Sequence, residues 1–271
     1  MNPRADTLTT APGGRHALRM ERRIGHPPER VWAALTRPEL LKHWFPSEAG
    51  GREPTDVEAP RLYACTWGDD QLRWEVAPDP ETGGSLLTLV HTFDDRFGAP
   101  SFGAGWHLCV SALGELLDGV AEPARPRDTG ELHEAYLEQF DLGGGEITAD
   151  GTVRFERQLV RPADAVWAAF TEGDEVLKGS EAPEGLVADG VLAGVVTEVR
   201  VPELVAYEVA GGGEVRIRLA PGTGYGARLL LTHRGSGDPT AARAAWHARV
   251  ERLAGRLLEF SRAGWPPGPP C

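Results

Sequence analysis

The sequence predicts an α+β chain built from two homologous halves, each an antiparallel sheet covered by one long closing helix. Three observations carry that expectation. The first is an ordered duplication: "HPPERVWAAL" at residues 26–35 matches "RPADAVWAAF" at 161–170, Pro60 aligns with Pro202, "SLLTLVHT" aligns with "RLLLTHR", and "AGWHLCVSALGELL" from residue 104 matches "AAWHARVERLAGRLL" from residue 244. Four matches in one order are the mark of a tandem repeat. The second is a series of short β-rich runs punctuated by Gly, Pro and Asp, the pattern of hairpins and not of βαβ units. The third is the closing rhythm: Trp106, Val110, Leu113 and Leu117 recur at spacings of four, three and four residues, as do Trp246, Val250, Leu253 and Leu257. That spacing stacks each set on one helix face.

Each half reads in the same order. An alternating strand opens it, "HALRMERRI" in the first and "GTVRFERQLV" in the second, followed by prolines suited to a first helical turn. Val31, Trp32 and Leu35 then form a short apolar helix face, matched by Val166, Trp167 and Phe170. In the first half a second short helix is expected to start at Thr36, whose hydroxyl stands at capping-box spacing from Glu39. The strands "RLYACTW", "QLRWEVAP" and "SLLTLVHTF" follow, against "GVVTEVR", "LVAYEVA", "EVRIRLAP" and "ARLLLTH" in the second half. Trp32 precedes Trp167 by 135 residues but Pro60 precedes Pro202 by 142, so the first copy is seven residues shorter in between. There "SEAGGREPTDVEAP" is mostly breakers and acids, which predicts a truncated hairpin and a smaller or more open cavity, whereas "LVADGVLAGVVTEVR" can supply two strands in the second half. The expected boundaries are an irregular N-terminus over 1–17, a first domain over 18–120, a linker with a short helix over 121–147, a second domain over 148–262, and a Pro-rich tail over 263–271 that Trp265 could anchor.

Composition narrows the function. The 271 residues carry a formal charge of −12 with 40 acidic and 28 basic residues, and there is no basic stripe, which argues against nucleic acid as a partner. No apolar run approaches the length of a membrane span, and no apolar segment near the N-terminus resembles an export signal. Cys65, Cys109 and Cys271 form no CxxC pair, and their odd number fits a reducing cytoplasm, the expected location.

"HPPERVWAALTRPELLKHWFP", "DDQLRWEVAP", "LLTLVHTFDD" and "AGWHLCVSALGELLDG" resemble the activator of heat-shock-protein-90 ATPase homologue family, within the superfamily that includes START lipid-transfer domains, the birch-pollen allergen fold and polyketide cyclases. The resemblance is strong over residues 18–120 and weaker over 148–261. It implies two tandem helix-grip domains, each an antiparallel sheet wrapped around a long C-terminal helix, with the truncated hairpin in the first. It fixes function less well, because that superfamily holds co-chaperone domains, binders of hydrophobic ligands, and cyclases.

A sheet curled around a helix encloses a space of the kind that takes small molecules. The leading expectation is therefore a non-enzymatic protein that binds a small hydrophobic molecule in a helix-grip cavity. Its candidate lining residues are Trp44, Phe45, Tyr63, Trp67, Trp74, Phe93 and Trp106 in the first domain, with Tyr207, Val209, Ile217, Leu219 and Trp246 in the second. One alternative is a cyclase- or hydrolase-like enzyme acting on an aromatic or polyketide-like substrate, in which His107 or His247 moves a proton; no repeated carboxylate accompanies them. Another is a protein-interaction module like the co-chaperones. His91 and His233 each end the last strand before the closing helix. A zinc set of His43, His91 and His107 lacks ligand spacing and cysteine partners, so no metal is expected. Asp94 and Asp95 beside Arg96 read as a solvated turn. The two "GGGE" runs, at 143–146 and 211–214, are turns without nucleotide-loop spacing, and no cofactor is expected.

Overall fold

The computed structural model describes residues 6–46, 53–123 and 128–262. Residues up to Thr129 form one compact unit and those from Gly130 a second. The first contains β1 (Thr7–Thr10), β2 (His16–Ile24), α1 (Pro28–Thr36), α2 (Pro38–Leu41), β3 (Pro54–Glu58), β4 (Leu62–Trp67), β5 (Asp70–Pro78), β6 (Ser85–Phe93) and α3 (Ala99–Leu117). The second contains α4 (Gly130–Gln139), β7 (Glu146–Ile147), β8 (Val153–Gln158), α5 (Ala163–Thr171), β9 (Ala193–Arg200), β10 (Leu204–Val209), β11 (Glu214–Pro221), β12 (Ala227–Arg234) and α6 (Pro239–Arg262). Their antiparallel six-stranded sheets have the same order, β1-β2-β6-β5-β4-β3 and β7-β8-β12-β11-β10-β9. Each is closed by one long helix, so the chain is two tandem helix-grip domains.

The apolar periodicities place the helices. Trp106, Val110, Leu113 and Leu117 are all buried on α3, and Trp246, Val250, Leu253 and Leu257 on α6. Fully burying a large apolar side chain contributes about 1.5–3 kcal/mol, so either face can hold its helix against the sheet. Pro28 occupies the first turn of α1, where the missing N–H costs nothing. The β3–β4 and β9–β10 connections carry cis peptides at Ala59–Pro60 and Val201–Pro202.

Several local expectations are corrected. Part of the expected irregular N-terminus forms β1, which pairs with β2 from Thr7↔Arg19 to Thr10↔His16. Just before it, the buried Asp6 carboxylate accepts two 2.6 Å bonds from the Arg22 guanidinium, a bidentate clamp that holds the segment on the sheet. Thr36 does not open a second helix: it ends α1, and its hydroxyl donates back to the Trp32 carbonyl, so α2 starts at Pro38 without a side-chain cap. The truncated first-domain hairpin is as expected, β3 having five residues, all exposed, against eight in β9. "LVADGVLAGVVTEVR" supplies only β9, because residues 187–192 form a turn and irregular backbone and no strand. The helix expected in the linker is α4, which belongs to the second unit: Arg157 of β8, fully buried, is hydrogen-bonded to Glu134 of α4 and Glu251 of α6. "DLGGGEITADG" also yields the short edge strand β7. Part of the breaker-rich stretch (47–52) and Trp265 lie outside the described residues. Among the described residues no helix is long and apolar enough to cross a membrane.

Candidate functional site

The two domains share one polar device in their cores. In the first, the Trp106 indole Nε1 of α3 donates to His91 Nδ1 of β6 at 3.1 Å. In the second, Trp246 Nε1 of α6 donates to His233 Nδ1 of β12, also at 3.1 Å. An indole nitrogen can only donate, so both imidazoles accept at Nδ1 and carry their proton on Nε2. Protonating either ring would set two donors face to face. Burial pushes both histidines below the ordinary imidazole range; for His91 the Asp70 carboxylate acts against that shift without reversing it.

What each Nε2–H meets is where the domains part. His91 is fully buried and its Nε2 lies 3.0 Å from Asp70 Oδ2. Asp70 is held in turn by Arg15 Nη2 at 3.3 Å, and Arg15 Nε reaches Asp94 Oδ1 at 2.8 Å. Aromatic rings close over the imidazole, with Phe102 at 4.5 Å between centroids, Phe93 at 4.9 Å and Trp67 at 5.3 Å. The Nε2–H of His233 has no protein acceptor among the described residues. It stands at a cavity of about 20 Å³, open at its mouth, lined by Gly151, Val153, His233, Gly235, Gly237, Pro239 and Ala242.

Strand register shows why. His91 pairs with Leu72 of β5 and His233 with Val215 of β11, so Asp70 and Gly213, each two residues earlier, hold equivalent places. Gly213 has φ +137°, and a Cβ there would lie 2.1 Å from the Arg234 carbonyl oxygen; no carboxylate can stand at this point. Phe93 and Gly235 each lie two residues beyond the histidine, and Phe102 and Ala242 each four before the tryptophan. Trp67 corresponds to Val209, each two residues beyond the partner of Leu72 or Val215. By the same counting on the neighbouring strand, where His91 pairs with Leu18 and His233 with Val153, Arg15 corresponds to Asp150. The second domain has thus lost three rings, a carboxylate and that carboxylate's cation from around one histidine.

The candidate residues from the sequence fall as follows. Trp44, Phe45, Trp74 and Trp106 form a tight cluster, with Trp74 edge-on to Trp44 at 5.7 Å and to Trp106 at 5.6 Å, and Phe45 at 5.6 Å from Trp106. Trp67 joins it directly, 5.2 Å from Trp106, and Phe93 joins it through His91, while Tyr63 meets Trp32 edge-on at 6.3 Å. In the second domain Tyr207, Val209, Ile217, Leu219 and Trp246 are buried in one core, where the Tyr207 hydroxyl donates to the Leu186 carbonyl at 2.8 Å and burial pushes its pKa up. His107 is half-buried, and burial, followed by the nearby Arg22 charge, holds its pKa down against the opposing effect of Asp6. His247 is exposed on α6, its Nδ1 3.3 Å from the Gly143 carbonyl oxygen. Neither of these two lines the cavity. The histidines that matter are His91 and His233. Strand parity was the available signal, because Leu87, Leu89, His91 and Phe93 alternate on one buried face.

No family model matches the chain, and no curated protein is significantly similar to it. Among solved structures, CalU16 from Micromonospora echinospora aligns at 20% identity over 49% of this chain and 96% of its own, with a TM-score of 0.42. DynU16, from the dynemicin biosynthetic locus, aligns at 17% identity over 90% of this chain and 98% of its own, with a TM-score of 0.35. The Aha1 dimer from Colwellia psychrerythraea aligns at 12% identity over 39% of this chain and 98% of its own, with a TM-score of 0.34. At such scores these likenesses carry neither fold nor function; the helix-grip assignment rests on the repeated strand order and the closing helices.

Proposed function

We propose that this chain is a non-enzymatic small-molecule-binding protein in which the second domain carries the site and the first is its filled counterpart. The observation that supports this most is the contrast around one conserved contact. The Trp–His bond is the same in both domains, yet the rings and the acceptor that enclose His91 are glycine, alanine, valine and glycine around His233. Small residues beside a buried tryptophan leave a recess of mixed polar and apolar lining, into which the half-buried His233 presents one directional N–H, a composition found in ligand sites.

The size of the recess constrains what enters. About 20 Å³ accommodates one water-sized group, so a ligand would insert its end and lay its apolar body at the mouth, against Val153, Pro239 and Ala242. Binding would draw on apolar area removed from water, at about 25 cal/mol per Å² before ordering costs. The sequence motifs shared with the heat-shock-protein-90 ATPase activator homologues belong to this reading as a statement of ancestry. They do not extend it to a chaperone partner.

Native mass spectrometry of the full chain recovered from cells tests the proposal. The expected result is a retained small molecule at one copy per chain that is lost from Gly235→Phe, a change that restores the ring found at Phe93. Retention unaffected by Gly235→Phe, or no retained mass in the wild-type chain, would defeat it.

A further inference from the structure

Resting on that reading, we infer the chemistry of the ligand: the second domain takes a neutral hydrogen-bond acceptor, a carbonyl-type oxygen carried on a compact apolar body, with His233 Nε2–H as its donor. The first domain supplies the template. There the place opposite the Nε2–H is filled by an oxygen at 3.0 Å, with aromatic rings on either side. The same imidazole in the second domain has the same tautomer, imposed by Trp246, and lacks both the oxygen and the rings. A donor whose partner is supplied internally in one copy and missing in the other is a site for an external acceptor.

Neutrality follows from the surrounding charges. Asp70 is paired with the Arg15 guanidinium at 3.3 Å. At the position of Arg15 the second domain has Asp150, whose carboxyl is held down to about 2 by hydrogen bonds from Thr148 and Thr152. Asp238, just outside the recess, accepts the Thr240 N–H at the start of α6. None of the residues lining the cavity is cationic. A ligand carboxylate would find no counter-ion in the lining, and an ammonium would face a donor in place of an acceptor. A ketone, ester or amide oxygen meets neither penalty.

Gly235 controls access. A Cβ built there would lie 2.9 Å from His233 Nε2, closer than such atoms pack, and 3.6 Å from a Val209 methyl, so any side chain at this position must push the imidazole aside or cover its N–H. Its φ lies outside the left-handed region, so alanine can take the backbone conformation.

The test uses the full chain, ¹⁵N-labelled at histidine with ¹³C-labelled methyls, titrated separately with cyclohexanone, cyclohexanecarboxylate and methylcyclohexane. Cyclohexanone is expected to shift the His233 Nε2–H resonance and the Val153 and Ala242 methyls while leaving His91 unmoved. Its dissociation constant should rise at least tenfold in Gly235→Ala and in His233→Phe. Methyl shifts of equal affinity with all three probes would overturn the acceptor inference and leave the binding site standing. Tighter binding of the carboxylate would overturn neutrality. No methyl shift with any probe would remove the binding site itself and the inference with it.

Discussion

The two domains place the same Trp–His bond at the same point of the same sheet and then treat it in opposite ways. In the first, the imidazole is enclosed by Phe93, Phe102 and Trp67 and bonded to Asp70. In the second, the equivalent ring faces a recess. The shared bond is therefore a structural part of the repeat, a way of joining the last strand to the closing helix through one satisfied polar pair. Function, on this reading, lies in what has been removed around it. A core histidine with every partner inside the protein is inert. The same histidine with its outward donor uncovered can recognise something.

The strongest way to break this comparison is to empty the first domain. Phe93→Ala deletes a buried ring against His91 and Phe102 and is expected to destabilise the first domain by about 3–5 kcal/mol, measured by urea unfolding of the full chain. The half-exposed Phe102→Ala should cost less. If both are tolerated within about 1 kcal/mol, the rings are not packing the core and the first domain is not a filled copy. Next in size is Asp70→Ala, which strands the His91 Nε2–H and leaves Arg15 with Asp94 and the Asp69 carbonyl as partners; the expected loss is about 1–3 kcal/mol. A neutral outcome would mean that the His91 donor needs no internal acceptor, and the contrast with His233 would lose its force.

The duplication, the helix faces and the central strands were legible because they depend on periodic burial, which the residue pattern records directly. Edge strands were not. "TLTT" and "PTDVE" are short and largely exposed, so no alternation marks β1 or β3, and backbone pairing with β2 and β4 decides them. At the site, adjacency misled: the repeated Trp-His dipeptides drew notice to His107 and His247, but neighbours on a helix point about 100° apart, and those histidines leave the face that the tryptophans bury. The partner of each tryptophan lies on a strand 15 or 13 residues earlier. Only the folded register shows that Asp70 answers to Gly213, whereas Phe93 and Gly235 already stand at equal distance beyond the aligned histidines.

A pH series sharpens the comparison with a smaller effect. A histidine whose folded pKa is lowered binds its proton more readily in the unfolded chain. Stability is therefore constant above the unfolded value of about 6.5, falls as the pH drops below it, and levels off below the folded value. The slope per histidine cannot exceed about 1.4 kcal/mol per pH unit. Thermal unfolding between pH 7.5 and about 5 should show this loss, to which the half-buried His107 adds, while all carboxylates with lowered pKa act further down, below their unfolded values near 4. Trp106→Phe and Trp246→Phe remove the donor that pins the neutral rings. If neither changes the slope in this window, the tautomer argument for both sites is wrong.

The smallest expected effect concerns Trp74, which register places opposite Ile217 of the second domain, each two residues beyond the partner of the core histidine. Its Nε1 is buried without a hydrogen-bond partner among the described residues, so the ring contributes packing while its N–H forfeits its hydration. Trp74→Phe deletes that unsatisfied donor together with part of the ring, and the two changes oppose each other. The net change in unfolding free energy should stay within about 1 kcal/mol. Trp106→Phe, of the same volume change, removes a donor that is paired and leaves His91 Nδ1 buried without one, so it should cost more. Equal costs for the two would mean that the Trp74 N–H is in fact satisfied, by the face of Trp44 or Trp106, the rings it meets edge-on. Trp74 would then add a third polar contact to the aromatic cluster, beside the Trp106–His91 bond and the Trp44 Nε1 donation to the Ala34 carbonyl, at a place where the second domain has isoleucine.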